Sequence, residues 1–160
     1  FFTIMAKEIE RKFLVENVSY RKNATSKRIC QGYICAEKDR VVRVRIYGEK
    51  AFLTLKNASI GFSRDEFEYE IPMNDAESLL ERCCIKPIIE KIRYKVFYKN
   101  FCWEIDEFQR ENEGLIIAEI ELPDETTKFE KPDFIGEEVT CDVRYYNANL
   151  IKHPYCQWKK

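Results

Sequence analysis

The chain has 160 residues, of which 34% are charged, yet its formal net charge is only −1. That balance excludes the basic excess of a nucleic-acid-binding surface, and no apolar run is long enough for a membrane-spanning helix. Seven cysteines without a CxxC pair and a single histidine, His153, argue against a disulfide scaffold and a zinc site, and imply reduced thiols in a cytoplasmic setting.

Met5-Ala6-Lys7 looks like a natural start, so residues 1–6 are read as a leader or an expression remnant and residues 7–160 as a single domain. Period-2 alternation then dominates, and it predicts strands. Glu8-Ile9-Glu10-Arg11-Lys12-Phe13-Leu14-Val15 opens the series, and Cys30 to Ile34 adds a candidate. Val41 to Ile46, Phe52 to Lys56 and Glu66 to Ile71 follow. Turn residues at Tyr47-Gly48-Glu49-Lys50 and from Asn57 to Gly61 separate them. A helix is expected over Ala76 to Cys84, capped by Asn74 or Asp75 and ended by Pro87. Strands resume at Ile92 to Tyr98, Phe101 to Phe108 and Leu115 to Leu122, the last preceded by a turn at Glu111 to Gly114. A helical tail is expected after Pro132, through Ile135-Gly136 and again near Tyr145 to Ile151. About eight β segments with short connections imply antiparallel hairpins.

The charges on these strands come in same-sign pairs two residues apart. Glu8 and Glu10, Arg43 and Arg45, Glu66 and Glu68, Lys91 and Arg93, and Glu119 and Glu121 all follow this rule. Residues i and i+2 share one face about 7 Å apart, so each pair repels itself unless something of opposite charge lies between. A solvated sheet face is the ordinary explanation of alternating charge, but a face shaped only for solubility mixes its signs. Paired carboxylates suit a hard divalent cation, and paired Arg and Lys suit phosphate oxygens. A sheet of about eight strands closed with this face inward leaves room for one small ligand. That ligand would be strongly anionic and accompanied by metal, as a triphosphate with Mg²⁺ or Mn²⁺ is. A cysteine nucleophile is disfavoured, because no histidine shares a motif with any cysteine.

Glu8-Ile9-Glu10-Arg11-Lys12 resembles the ExExK signature of the CYTH superfamily, the triphosphate tunnel metalloenzymes. The resemblance continues in order through Gln31-Gly32-Tyr33, Arg43-Val44-Arg45, Thr54-Leu55-Lys56, Arg64-Asp65-Glu66-Phe67-Glu68, Glu90-Lys91-Ile92-Arg93-Tyr94, Glu104-Ile105-Asp106, Glu119-Ile120-Glu121 and Gly136 to Thr140 with Arg144-Tyr145. It implies that residues 7–160 form one CYTH-like domain. The implied fold is mainly β (α+β), a closed eight-stranded antiparallel β-barrel or tunnel with a few flanking helices and a C-terminal helix.

The same resemblance implies substrate binding by Lys12, Arg43, Arg45, Lys56, Lys91 and Arg93, and Mg²⁺ or Mn²⁺ held by Glu8, Glu10, Glu68, Asp106, Glu119 and Glu121. Glu66 and Glu68, with Lys12 and Lys91, are the catalytic candidates, either glutamate being able to orient the attacking water. Compact bacterial members opening with ExERKFLV are most similar to inorganic triphosphatases, which cleave triphosphate to diphosphate and phosphate. The alternatives are a class IV-type adenylate cyclase, a thiamine triphosphatase, a nucleoside triphosphatase, or a non-catalytic polyphosphate-binding module. The cyclase branch carries a His-Phe pair ahead of ExExK where this chain has Met5-Ala6-Lys7. The expected partner is a small triphosphate compound, with no nucleic acid and no membrane, bound by a monomer or homodimer.

Overall fold

All the alternating segments become strands of one antiparallel sheet. A computed structural model describes residues 9–58 and 65–159. Its strands are β1 Ile9–Val15, β2 Thr25–Glu37, β3 Arg40–Tyr47, β4 Lys50–Asn57, β5 Glu66–Ile71, β6 Ile89–Tyr98, β7 Phe101–Phe108, β8 Ile116–Leu122 and β9 Ile135–Glu138, with helices α1 Met73–Arg82 and α2 Asn147–Leu150. The expected turn from Asn57 to Gly61 falls partly outside the described residues, as do Glu8 and Arg64. At the β6–β7 hairpin Lys99 and Asn100 both take positive φ, 44° and 72°. That mirror-image turn carries the twist that flanking strands require.

The strands run in the order β5-β4-β3-β2-β6-β7-β8-β1-β9. The strand count therefore differs from the eight expected. Nine strands form one sheet, and among the described residues its hydrogen-bond ladder does not return from β9 to β5. The reason lies in the segment expected to be helical at Ile135-Gly136. It pairs with the outer edge of β1 instead, Val15 opposite Ile135 and Phe13 opposite Glu138. Glu16 N donates to Phe134 O and Val139 N to Lys12 O, each at 2.8–2.9 Å, so β1 has partners on both sides. At the other end β5 is an open edge among the described residues, with Phe67 45% and Tyr69 57% exposed.

The helices also differ from expectation. Neither Asn74 nor Asp75 caps α1; Pro72 occupies that position, and the helix ends at Arg82, well before Pro87. Proline suits a helix start because its missing N–H has no partner there in any case. The C-terminal helix shrinks to the single turn of α2.

Alternation divides the sheet into an outer apolar and an inner charged face. On the outer face, α1 packs Ala76 and Leu80 against Val44 and Ala51. Gly32 of β2 lies here, where an added Cβ would meet the Cys84 side chain at 2.8 Å, so only glycine admits the chain after α1 this closely. Around the other half of the sheet, Phe13, Trp103, Ile105, Ile120 and Leu122 form a second cluster, closed over by Tyr20 and Phe134.

The third cluster belongs to the inner face. It joins Leu14 of β1, Ile117 of β8, Phe108 of β7, Ile89 of β6, Tyr33 of β2 and Val41 of β3, together with Val139, Leu150 and Ile151 of the C-terminal segment. In a flat sheet β1 and β3, five pairings apart, would be separated by about 24 Å. Their packing into one cluster means that the sheet curls around its inner face, and the C-terminal segment stops one end of the resulting trough.

Candidate active site

Register decides which charges meet. Lys12 stands opposite Glu119, Glu119 opposite Glu104, and Glu104 opposite Lys95, a row crossing β1, β8, β7 and β6. Arg93 faces Asp106 in the next row. Across the trough Tyr33, Arg43, Thr54 and Glu68 form a row through β2 to β5, with Gln31 and Arg45 beside it and Lys56 opposite Glu66 at its end. Glu10 pairs with Glu121 at the start of β1. Every candidate inside the described residues thus lies on the inner face. Glu8 lies outside them.

The geometry sorts these charges into satisfied and unsatisfied groups. Lys12 is buried and donates to Glu119 Oε1 at 2.6 Å and Glu10 Oε1 at 2.9 Å. Burial alone would lower its pKa, but the two carboxylates hold it above the ordinary lysine value. Burial pushes Glu119 above the usual carboxylate range, assisted by the nearby charges of Glu10 and Asp106 and opposed by Lys12. Asp106, 1% exposed, receives Arg93 Nε at 2.8 Å, Arg93 Nη2 at 2.9 Å and Lys91 Nζ at 2.7 Å. Both of its oxygens are therefore engaged by cations. Burial would raise the Asp106 pKa, and Lys91 and Arg93 overcome that and hold it down. Arg93 also reaches Glu104 Oε2 at 3.0 Å.

Lys91 is fully buried. Its second proton goes to Asn147 Oδ1 of α2 at 3.1 Å, and an ammonium has three to give. Burial lowers its pKa to about 8, against the pull of Asp106.

Arg43 and Arg45 make a different pair. Among the described residues neither forms an ion pair. Arg43 Nε is buried with no hydrogen-bond partner, and Arg45 Nε donates to the neutral amide of Gln31 at 2.7 Å. Burial, then repulsion from Arg43 and Arg93, lowers the Arg45 pKa to about 10. A cavity of about 190 Å³ brings Arg45, Arg93, Lys95, Glu104, Glu68, Tyr47 and Phe52 together. Glu68 accepts from Thr54 Oγ1 at 3.2 Å, and Lys56 lies 3.9 Å from Glu66. Among the described residues the β3 wall of the trough therefore carries cations that form no ion pair, and the β1–β8 wall carries crowded carboxylates.

The CYTH-domain profile matches residues 6–155, nearly the whole chain. The chain belongs to the CYTH-domain family. A curated inorganic triphosphatase from Acetivibrio thermocellus is 54% identical over 156 residues, covering 98% of this chain and 100% of that protein. An inorganic triphosphatase from Nitrosomonas europaea is 35% identical over 148 residues, covering 89% and 95%. Among solved structures, the crystal structure of an inorganic triphosphatase superposes with a TM-score of 0.73 at 31% identity, covering 92% of this chain and 95% of that one.

Four residues that shape the inner face of this CYTH chain escaped the sequence reading of the site. Glu104 carried a signal, its spacing of two from Asp106. Gln31 and Tyr33 share parity with each other inside Gln31-Gly32-Tyr33, and Tyr33 is buried with Arg43 against its hydroxyl. Asn147 carried none, because it reaches Lys91 from outside the strands.

Proposed function

We propose that this CYTH-family chain hydrolyses inorganic triphosphate to diphosphate and phosphate with a divalent metal, Mg²⁺ or Mn²⁺. The observation that carries the reading is the contrast between Arg43 and Arg45, half-buried and without a carboxylate partner among the described residues, and the carboxylate-rich wall facing them. A guanidinium drawn partly out of water with no carboxylate beside it is costly unless an anion is meant to arrive.

The substrate would lie along the trough with its phosphate oxygens on Arg43, Arg45, Arg93 and Lys91, and with Lys56 at the β4 end. Asp106 keeps Lys91 and Arg93 aimed. The metal would be held by Glu10, Glu119 and Glu121, with Glu8. An all-carboxylate set suits a hard divalent cation, and Glu10 and Glu119 crowd closely enough that Lys12 alone bridges them. Among the described residues no three acidic groups already stand at ligand spacing, so Lys12 would yield part of its hold when metal enters. The chemistry such an ion would supply there is charge neutralisation at the phosphates and acidification of water. Glu66 or Glu68 would orient the attacking water, while Lys12 and Lys91 stabilise charge that grows on the phosphate oxygens.

One observation supports inorganic over organic triphosphates. Lys27 and Lys95 place their ammonium groups 5.2 and 5.8 Å from the Tyr47 ring centroid. A base or a cationic thiazolium would have to displace them, whereas a phosphate group would not. All seven cysteines are unpaired, which supports a reducing, cytoplasmic setting.

The deciding experiment compares inorganic triphosphate, ATP and thiamine triphosphate as substrates with Mg²⁺, with Mn²⁺ and with excess chelator. Fastest metal-dependent turnover is expected on inorganic triphosphate. Faster turnover of ATP or thiamine triphosphate would assign a different substrate, and tight binding without turnover would make the chain a binding module.

A further inference from the structure

Gln31 lies in β2 opposite Arg45, on the inner face, and is 0% exposed. Its Oε1 accepts from Arg45 Nε. A guanidinium can only donate, so this bond decides which end of the amide faces Arg45. The other end, Nε2, holds two N–H groups and has no hydrogen-bond partner. Arg43 Nε, on the neighbouring strand, is buried and unpartnered too. Orphaned buried donors are rare, because each forfeits its hydration without replacement. Among the described residues these two N–H donors, Gln31 Nε2 and Arg43 Nε, have no acceptor, and the Arg45 guanidinium beside them has no carboxylate.

We propose that Gln31 contacts the substrate directly, its Nε2 donating to an oxygen of the phosphoryl group held by Arg43 and Arg45 while its Oε1 aims Arg45. The proposal rests on the triphosphate reading of this face and adds a neutral member to its clamp. Neutrality has a physical reason. A further cation beside Arg43, Arg45 and Arg93 would add to their mutual repulsion. A carboxylate of the same length would quench the guanidinium groups and repel the phosphate.

The test is calorimetric titration of inorganic tripolyphosphate into the full chain under chelator, which prevents turnover, with ligand-free melting temperatures measured in parallel. Gln31→Leu should weaken binding about tenfold or more, as loss of a hydrogen bond to a charged group does. Gln31→Glu is isosteric and should weaken it about a hundredfold while melting at or above the wild-type temperature, since its carboxylate gives Arg43 and Arg45 a partner. Should Gln31→Leu fail to fold, the glutamate variant carries the test alone. Wild-type affinity in Gln31→Glu, or a lowered melting temperature with unchanged affinity in Gln31→Leu, would overturn the proposal and leave Gln31 a packing residue. Absence of binding by the wild type would overturn the triphosphate reading and this inference with it, a result distinct from binding that ignores the substitutions.

Discussion

Replacing Arg45 with methionine removes one guanidinium from the inner face and keeps most of the side chain's volume. Holding the Arg45 pKa down at about 10 corresponds to a penalty of about 3 kcal/mol at neutral pH. Losing its bond to Gln31 Oε1 and stranding that acceptor offsets about 1–2 kcal/mol. The ligand-free Arg45→Met protein should therefore gain about 1–2 kcal/mol, which at this chain length is about 2–8 °C in melting temperature. Binding should move the opposite way. A charge-assisted bond to phosphate contributes about 1.5–3 kcal/mol, so affinity for tripolyphosphate should fall about ten- to a hundredfold. Thermal melting with and without tripolyphosphate, under chelator, reads both effects in one experiment. The variant should start higher and respond less to ligand. Lys22→Ala and Lys38→Ala, exposed and away from the inner face, should change neither reading. A melting temperature several degrees below wild type, or an undiminished response to ligand, would refute the view that this face is held ready by unrelieved repulsion.

Three further outcomes are expected. Glu119→Gln combined with Glu121→Gln should abolish metal-dependent turnover while circular dichroism stays native, because the amides keep the shape and lose the ligand charge; undiminished turnover would remove these residues from the metal site. Asn147→Ala should lower kcat about tenfold with little change in KM, since it frees the Lys91 ammonium to swing. Asn149→Ala, which loses only a bond to Val143 O at 2.7 Å, should lower the melting temperature without that split, and an identical response in both would reduce Asn147 to packing. Tripolyphosphate affinity should fall as pH rises through about 8, where Lys91 loses its proton. The sign for stability is opposite: the folded pKa lies below the unfolded 10.5, so from about pH 8 to 10.5 the unfolded chain binds more protons and this group's contribution rises with pH. Lys91→Arg stays charged and should flatten the affinity profile; a flat wild-type profile would contradict the assignment.

The membership of the inner face was legible in the sequence by itself. Strand parity is a local property of the chain, so Glu10 and Lys12, Arg43 and Arg45, Glu66 and Glu68, Lys91 and Arg93, and Glu119 and Glu121 had to share faces once their segments were extended. Local pattern failed where an element exists only through its partner. Ile135 to Glu138 is four residues long and carries no alternation of its own; it is a strand because the open edge of β1 offered its N–H and C=O groups. The same four residues raise the expected eight strands to nine, with β5 at the far end of the order.

Which charges neutralise one another was decided by register and curl. Arg45 and Arg93 sit in near-identical motifs, a basic residue followed two positions later by arginine. Yet Arg93 lands beside Asp106 and Glu104, while Arg45 lands beside Gln31 and Phe52. The direction of a side chain follows from its own strand, but its neighbour across the ladder is set by chain tens of residues away. Alternation therefore put the arginines on the inner face, and only tertiary pairing left one of them without a carboxylate partner among the described residues.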